Sequence, residues 1–318
     1  MRAVLLTSFG GSDVLEVADV PVPQPGRGQL LVRIRAGAVN PVDYQTRRGD
    51  YRDEIALPAI IGSDLSGVVE ATGPGVRSFR PGDEVFGMTR AFDGNGAYAQ
   101  YAVIDEAIVA RKPESLSHDE AASLPVAGGT AWECLVVRGR LRVGETVLVH
   151  AAAGGVGSLA LQIARAAGAR IVATCSSRSV ELVRQLGADV VVDYTREDYV
   201  AGTLAAAGGR GVDLVLDTIG GDAIARAGEV LADGGRVVSI VDIATPQSLL
   251  PLWASNASAH FVFTPPRRST LEALGSLCER GLVSPVIDSV VPLGEVAAAH
   301  DRLERGGVRG KIVLDPDR

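Results

Sequence analysis

Over roughly the first 124 residues, apolar and polar positions alternate in short runs broken by Gly and Pro: LLVRIRAGAV, IIGSDLSGVVEATG, GDEVFGM, AYAQYAVI and IVARKP. A period of two sets one face of each run against a core and the other toward water. This predicts strands of an antiparallel, partly barrel-like domain. Within GVRSFRPGDEV a Pro-Gly-Asp turn separates two runs, with Pro fixing φ and Gly permitting the reversal.

The middle of the chain reads differently. TVLVHA, RIVATC, DVVVDY, VDLVLDT and GRVVSI are almost wholly apolar and β-branched, the pattern of strands buried on both faces of a parallel sheet. Helical stretches separate them: VGSLALQIARAAG, SVELVRQLG, REDYVAGTLAAAG and GDAIARAGEVLADG. In the first, Leu159, Ile163 and Ala166-Ala167 recur at helical spacing, and Gly168 follows as a C-terminal stop. Repeated strand–helix–strand predicts a doubly wound α/β domain. HFVFT, residues 260–264, reads as one further strand. After Pro265-Pro266 come a helix (STLEALGSLCERG), a β-like run (VIDSVVPL), a second helix (GEVAAAHDRLERG) and a last strand (KIVLD). This tail is expected to return to the first domain. The boundaries predicted are 1–124 for the first part of a catalytic domain, 125–264 for a nucleotide-binding domain, and 265–318 for the return segment.

Composition narrows the function classes. A chain of 318 residues with 47% apolar and 22% charged positions is a folded protein long enough for two domains. Its net charge of -7 leaves no excess of Lys and Arg to neutralise phosphates, which argues against nucleic acid as a partner. Cys134, Cys175 and Cys278 are far apart and form no Cys-x-x-Cys pair, so no structural zinc or disulfide framework is signalled. No secretory leader or membrane-spanning apolar run is read, and the expected setting is cytoplasmic.

The sharpest motif follows the run TVLVH: residues 152–157 open the helix VGSLALQIARAAG. A pyrophosphate must approach a helix start, where unpaired N–H groups and the helix dipole favour negative charge. Gly154 gives clearance at the closest point and Gly157 lets the helix pack on its strand, as in G-x-G-x-x-G, with Ala152 in place of the first glycine. The cofactor-binding backbone is therefore Ala153, Gly154, Gly155, Val156 and Gly157. An Asp or Glu at the end of the next strand would bind a ribose 2′-hydroxyl. The exit of RIVATC instead reads Ser176-Ser177-Arg178, two hydroxyls and a guanidinium suited to a 2′-phosphate. NADPH is the expected cofactor. The plainer role for Ser176 or Ser177 is to cap the following helix, and both roles can hold together.

These residues resemble the zinc-independent quinone oxidoreductase branch of the medium-chain dehydrogenase/reductase superfamily. The marks are AGAVNPVDYQTRRG, IIGSDLSGVVEATGPGV, FRPGDEVFG, GAYAQYA, LPVAGGTAWECL, VLVHAAAGGVG and RGKIVL, spread over essentially the whole chain. The resemblance implies a Rossmann-type parallel sheet beside a GroES-like, mostly antiparallel catalytic domain. Zinc-dependent relatives hold the catalytic metal with Cys, His and Cys. The matching positions here are Asn40, Ser63 and Val126, and none is a competent zinc ligand. His118, His150, His260 and His300 lie outside those blocks and read as surface or packing residues.

The resemblance further implies that Asn40 and Thr130 border the nicotinamide and the reacting carbonyl. It implies that Tyr194 lies near the adenosine 2′-phosphate and Lys311 near the nicotinamide half. Asp43 completes an N-x-x-D pattern that organises the loop. Tyr44 is a pocket-lining candidate for catalysis, a half-buried rim tyrosine being the plainer reading, as a turn-capping amide before Pro41 is for Asn40. The implied activity is NADPH-dependent, metal-free hydride transfer to small-molecule quinones or activated C=C bonds. Two alternatives stand beside it: an enoyl-thioester reductase of a biosynthetic pathway, since HAAAGGVG is also typical of polyketide enoyl reductases, and a non-catalytic NADPH-binding sensor or structural protein. A homodimer pairing through the edge strand near residues 260–264 is also expected.

Overall fold

A computed structural model describes residues 1–90, 92–241 and 244–318. The chain divides into two compact units. Unit one comprises Met1–Gly129, Pro265–Gly281 and Pro285–Arg318; unit two comprises Thr130–Thr264 and Leu282–Ser284.

Unit one is built around the long strand Gln29–Ala38, which belongs to a seven-stranded sheet. It pairs antiparallel with Asp64–Thr72 along most of its length, with Tyr101–Asp105 near its start, and with Lys311–Asp315 at its end. Glu84–Met88 and Val109–Arg111 extend one side; Ile287–Pro292 lies parallel to Lys311–Asp315 on the other. The alternation seen in the sequence is the burial pattern: Leu30, Val32 and Ile34 pack with Leu65, Val69 and Val85 in one core. A smaller sheet, Leu15–Asp19, Arg2–Leu6 and Ala59–Ile60, packs Val4 and Leu6 with Val39, Ile312 and Leu314. The pairing of Val313 with Ala38 matters most for function, because it sets Lys311 close to the residues that follow Ala38.

Unit two is a six-stranded, wholly parallel sheet. Its order is Val190–Asp193, Arg170–Cys175, Thr146–Val149, Val212–Asp217, Leu231–Ser239 and Ser258–Phe261. This is the doubly wound arrangement expected, with its switch point between Thr146–Val149 and Val212–Asp217. Val147, Leu148, Val149, Leu214, Val215 and Leu216 are fully buried, as strands covered on both faces must be.

Two elements differ from the sequence reading. The helix expected through residue 234 ends at Val230, and the next strand already begins at Leu231, which pairs with Val212 ahead of a register shift. The last strand is Ser258–Phe261 rather than 260–264, in register with Arg236–Ser239. Among the described residues no helix is long and apolar enough to cross a membrane.

Candidate active site

In unit two, the strand Thr146–Val149 gives way to a turn and then the helix Gly155–Ala166. Ala151 takes the left-handed conformation with φ of 44°, one position ahead of the buried Ala152 that stands in the glycine fingerprint. A Cβ on Gly157 would lie 2.5 Å from the Ala151 carbonyl oxygen and 2.7 Å from Ala152 Cα, so only glycine lets the helix seat on the turn. A Cβ on Gly154 would meet the Ala151 oxygen at 3.3 Å, a tight contact that still fits. Gly154 caps the helix without a side-chain bond. The N–H groups of Gly155, Val156 and Gly157 lie ahead of the first intrahelical bond, from Ser158 to Gly154, where a helix start presents its donors. The donor set suits a pyrophosphate.

Beneath the turn, His150 is buried edge-on to Tyr199, with Nδ1 3.2 Å from Thr174 Oγ1. Burial lowers its pKa to about 4, so it packs as a neutral ring. Thr130 hydrogen-bonds through Oγ1 to the Thr264 hydroxyl at 2.7 Å.

At the exit of Arg170–Cys175, Ser176 caps a short 3₁₀ turn, Ser177–Ser179, and neither it nor Ser179, which caps the following helix, makes a side-chain capping bond. Arg178 and Tyr194 are exposed. The parallel register places Asp193 beside Cys175, and the Asp193 carboxylate accepts a short bond from the Ser177 hydroxyl. The other carboxylate oxygen accepts the Thr195 hydroxyl at 2.6 Å and the Thr195 N–H at 3.0 Å. These hydroxyl bonds hold Asp193 below its ordinary pKa. The strand itself carries no acid at its exit, but its neighbour supplies one.

In unit one, Asn40, Asp64 and Lys311 form a buried cluster. Lys311 Nζ donates to Asp64 Oδ2 at 3.0 Å, to the Val39 carbonyl at 3.0 Å, and to Asn40 Oδ1. Asn40 Nδ2 donates to Asp64 Oδ2 at 2.9 Å and to the Ala38 carbonyl at 3.4 Å, and Val126 N–H donates to Asp64 Oδ1 at 2.7 Å. The chemistry fixes the amide's orientation: an ammonium needs the oxygen and a carboxylate needs the NH₂. Every polar atom of the Asn40 side chain is thereby committed inside the cluster. Lys311 makes its bonds within unit one, to residues brought close by the final strand.

A second buried chain lies behind the first. The Asp43 carboxylate accepts the Asn40 N–H at 2.8 Å and the Tyr98 hydroxyl at 2.9 Å. Tyr98 also lies 2.9 Å from His300 Nε2, and since its one proton is given to Asp43, His300 is the donor there. Burial raises Asp43 to about 7 and lowers His300 to about 3. Asp43 organises the start of the helix Pro41–Arg48 in the way the N-x-x-D pattern implies, its carboxylate taking the Asn40 N–H in a capping box. Tyr44 is half-buried with the Arg48 guanidinium 5.2 Å from its ring centre, and burial raises its phenol.

Asn40 and Ser63 are both buried, and Val126 takes part only through its backbone N–H. Among the described residues no group of three or more His, Cys, Asp or Glu side chains could hold a metal. Sequence reasoning passed over Asp64, Tyr98, His300 and Asp193 as site residues. The signal was present in the two aspartates: a carboxylate at the edge of an apolar β run needs a partner, and its presence asks where that partner is.

The chain is similar to known proteins along its whole length. An alcohol dehydrogenase GroES-like domain matches residues 26–114, and a zinc-binding dehydrogenase domain matches residues 186–314. The chain is 34% identical to a quinone oxidoreductase of Rattus norvegicus, over 99% of this chain and 97% of that protein. It is 35% identical to an NADPH-dependent alkenal/one oxidoreductase, chloroplastic, of Arabidopsis thaliana, over 99% and 80%. A solved structure described as an NAD-dependent alcohol dehydrogenase superposes with a TM-score of 0.92 at 36% identity, covering 99% of both chains.

Proposed function

Because the chain belongs to the zinc-independent quinone oxidoreductase branch of the medium-chain dehydrogenase/reductase superfamily and is an oxidoreductase, we propose that it uses NADPH to reduce quinones or the activated C=C bonds of α,β-unsaturated carbonyls. The likeness to a quinone oxidoreductase over 99% of the chain carries this reading. When bound, NADPH supplies a hydride equivalent for an electrophilic carbon.

The chain's own residues have separate tasks. Ala153, Gly155, Val156 and Gly157 offer backbone N–H groups to the pyrophosphate, Gly154, whose own N–H is bonded to the Ala151 carbonyl at 2.9 Å, leaves room for its approach, and Ser176, Ser177, Arg178 and Tyr194 surround the adenosine 2′ position. Thr130 provides a hydroxyl on the nicotinamide side. In unit one, Asn40 acts as a frame, held by Lys311 and Asp64, rather than as a donor to the substrate oxygen. Tyr44 carries its phenol proton at neutral pH, as any tyrosine does, with burial pushing it further up, and is the side chain suited to return a proton to the reduced substrate. A homodimer paired through Ser258–Phe261 belongs to this reading, supported by the edge position of that strand and the exposure of Phe261 and Phe263. So does a cytoplasmic setting, in keeping with three free, buried cysteines.

The test is NADPH oxidation against a panel of quinones, enals, enones and enoyl thioesters, with and without exhaustive chelation. Turnover of a quinone or enone that survives EDTA is expected. Reduction of thioesters alone, or tight NADPH binding with no turnover, would replace this reading with one of its alternatives; loss of turnover with EDTA would restore a metal.

A further inference from the structure

The exit of the second strand in unit two holds two chemistries. Arg178 offers an exposed positive charge, while Asp193 places a carboxylate within hydrogen-bond reach of Ser177. A serine hydroxyl has a single proton to give. Ser177 also lies 2.9 Å from the Thr195 hydroxyl, which itself bonds to Asp193 at 2.6 Å. The two hydroxyl protons are thus shared among three side chains that already include an anion, and none is left over for an incoming phosphate. What the cluster offers outward is acceptor oxygen.

Resting on the assignment of the adenosine 2′ position to this strand exit, we propose that Asp193 is the residue that sets the ratio of NADPH to NADH affinity. Its carboxylate withholds the Ser177 and Thr195 protons from a 2′-phosphate and repels that group's negative charge. A ribose 2′-hydroxyl has its own proton and can donate into the same cluster. Arg178, together with Arg196, whose guanidinium lies 3.9 Å from Asp193, attracts the phosphate, and Asp193 opposes that attraction. The carboxylate is ionised at neutral pH as an ordinary aspartate is, and the bonds from Ser177 and Thr195 hold it lower still. This differs from an acid at the end of the second strand itself: Asp193 ends the third strand, in register with Cys175, and reaches the site across the sheet.

The experiment is a fluorescence titration of the purified protein with NADPH and, separately, with NADH, for wild type, Asp193→Asn, Asp193→Ala and Arg178→Ala. A like charge about 4 Å from the phosphate costs about fivefold in affinity at the dielectric of water, so both Asp193 variants should tighten NADPH by up to about that factor. NADH affinity should be unchanged or weakened. Asp193 lies at a strand end, and the alanine variant gives a second readout should the amide substitute re-form the cluster. An unchanged ratio of dissociation constants in both variants overturns the proposal. The cofactor assignment fails by a different result: Arg178→Ala then leaves NADPH affinity where it was.

Discussion

Asp43 illustrates how a single buried group couples to the rest of the fold. Its pKa in the folded chain is raised to about 7 from an ordinary 3.8, chiefly by burial and also by the like charge of Asp64, against the opposing bonds from Asn40 and Tyr98 and the charge of Lys311. A group whose folded pKa is raised contributes stability that is fully present below the unfolded pKa and is lost as pH rises through the folded one. The window is therefore from about pH 4 to about pH 7. Asp43→Asn removes this titration. From pH 5 to pH 8 the wild type should lose roughly 3 kcal/mol relative to the variant, an upper-end figure from a shift of this size. Urea denaturation of both proteins at the two pH values measures it, and a pH-independent difference would rule the assignment out. His300 works in the opposite sense, since its lowered pKa withdraws stability as pH falls below the ordinary histidine value. At this scale the sequence was partly legible. The residue types at Asn40, Ser63 and Val126 spoke against metal ligation, but the partners of Asn40 were not readable, because Asp64 and Lys311 lie 24 and 271 positions away.

At the scale of elements, the dinucleotide turn separates two glycines that a motif treats alike. Gly157 faces backbone atoms that cannot move aside, so Gly157→Ala should destabilise unit two by roughly 1–3 kcal/mol, the usual cost of overpacking. Gly154→Ala meets one oxygen at 3.3 Å and should fold normally while weakening binding of the nicotinamide cofactor. Thermal melts and cofactor titrations distinguish the two, and equal melting temperatures for both variants would refute the distinction. The strands of unit two were readable because continuous β-branched runs have few other homes. The strand start at Leu231 was not, because LADG carries a helix-stop pattern and only pairing with Val212 recruits it into the sheet. The helix Pro246–Trp253 was hidden for a related reason: it contains Pro251, which sequence rules place outside helices.

For the molecule as a whole, the first and last parts of the chain make one unit, and the candidate site in that unit depends on it. Lys311 arrives on the final strand, beside a loop that begins near residue 39. The textures of the sequence revealed two kinds of sheet and suggested that the tail goes back to the first. They did not reveal the register that brings an ammonium onto an amide and a carboxylate. Register is a property of pairing, and the tail's own pattern of KIVLD is compatible with several.

The burial of Lys311 has a practical corollary. Lysine occurs only at positions 112 and 311, and Lys112 precedes Pro113, which blocks a lysine-specific protease. One scissile bond remains, Lys311–Ile312, inside a strand where both residues are buried. Digestion by such a protease should therefore leave the native chain whole and clip it once when unit one opens. The release of a short C-terminal peptide becomes a clock for that opening, read by mass spectrometry without any label.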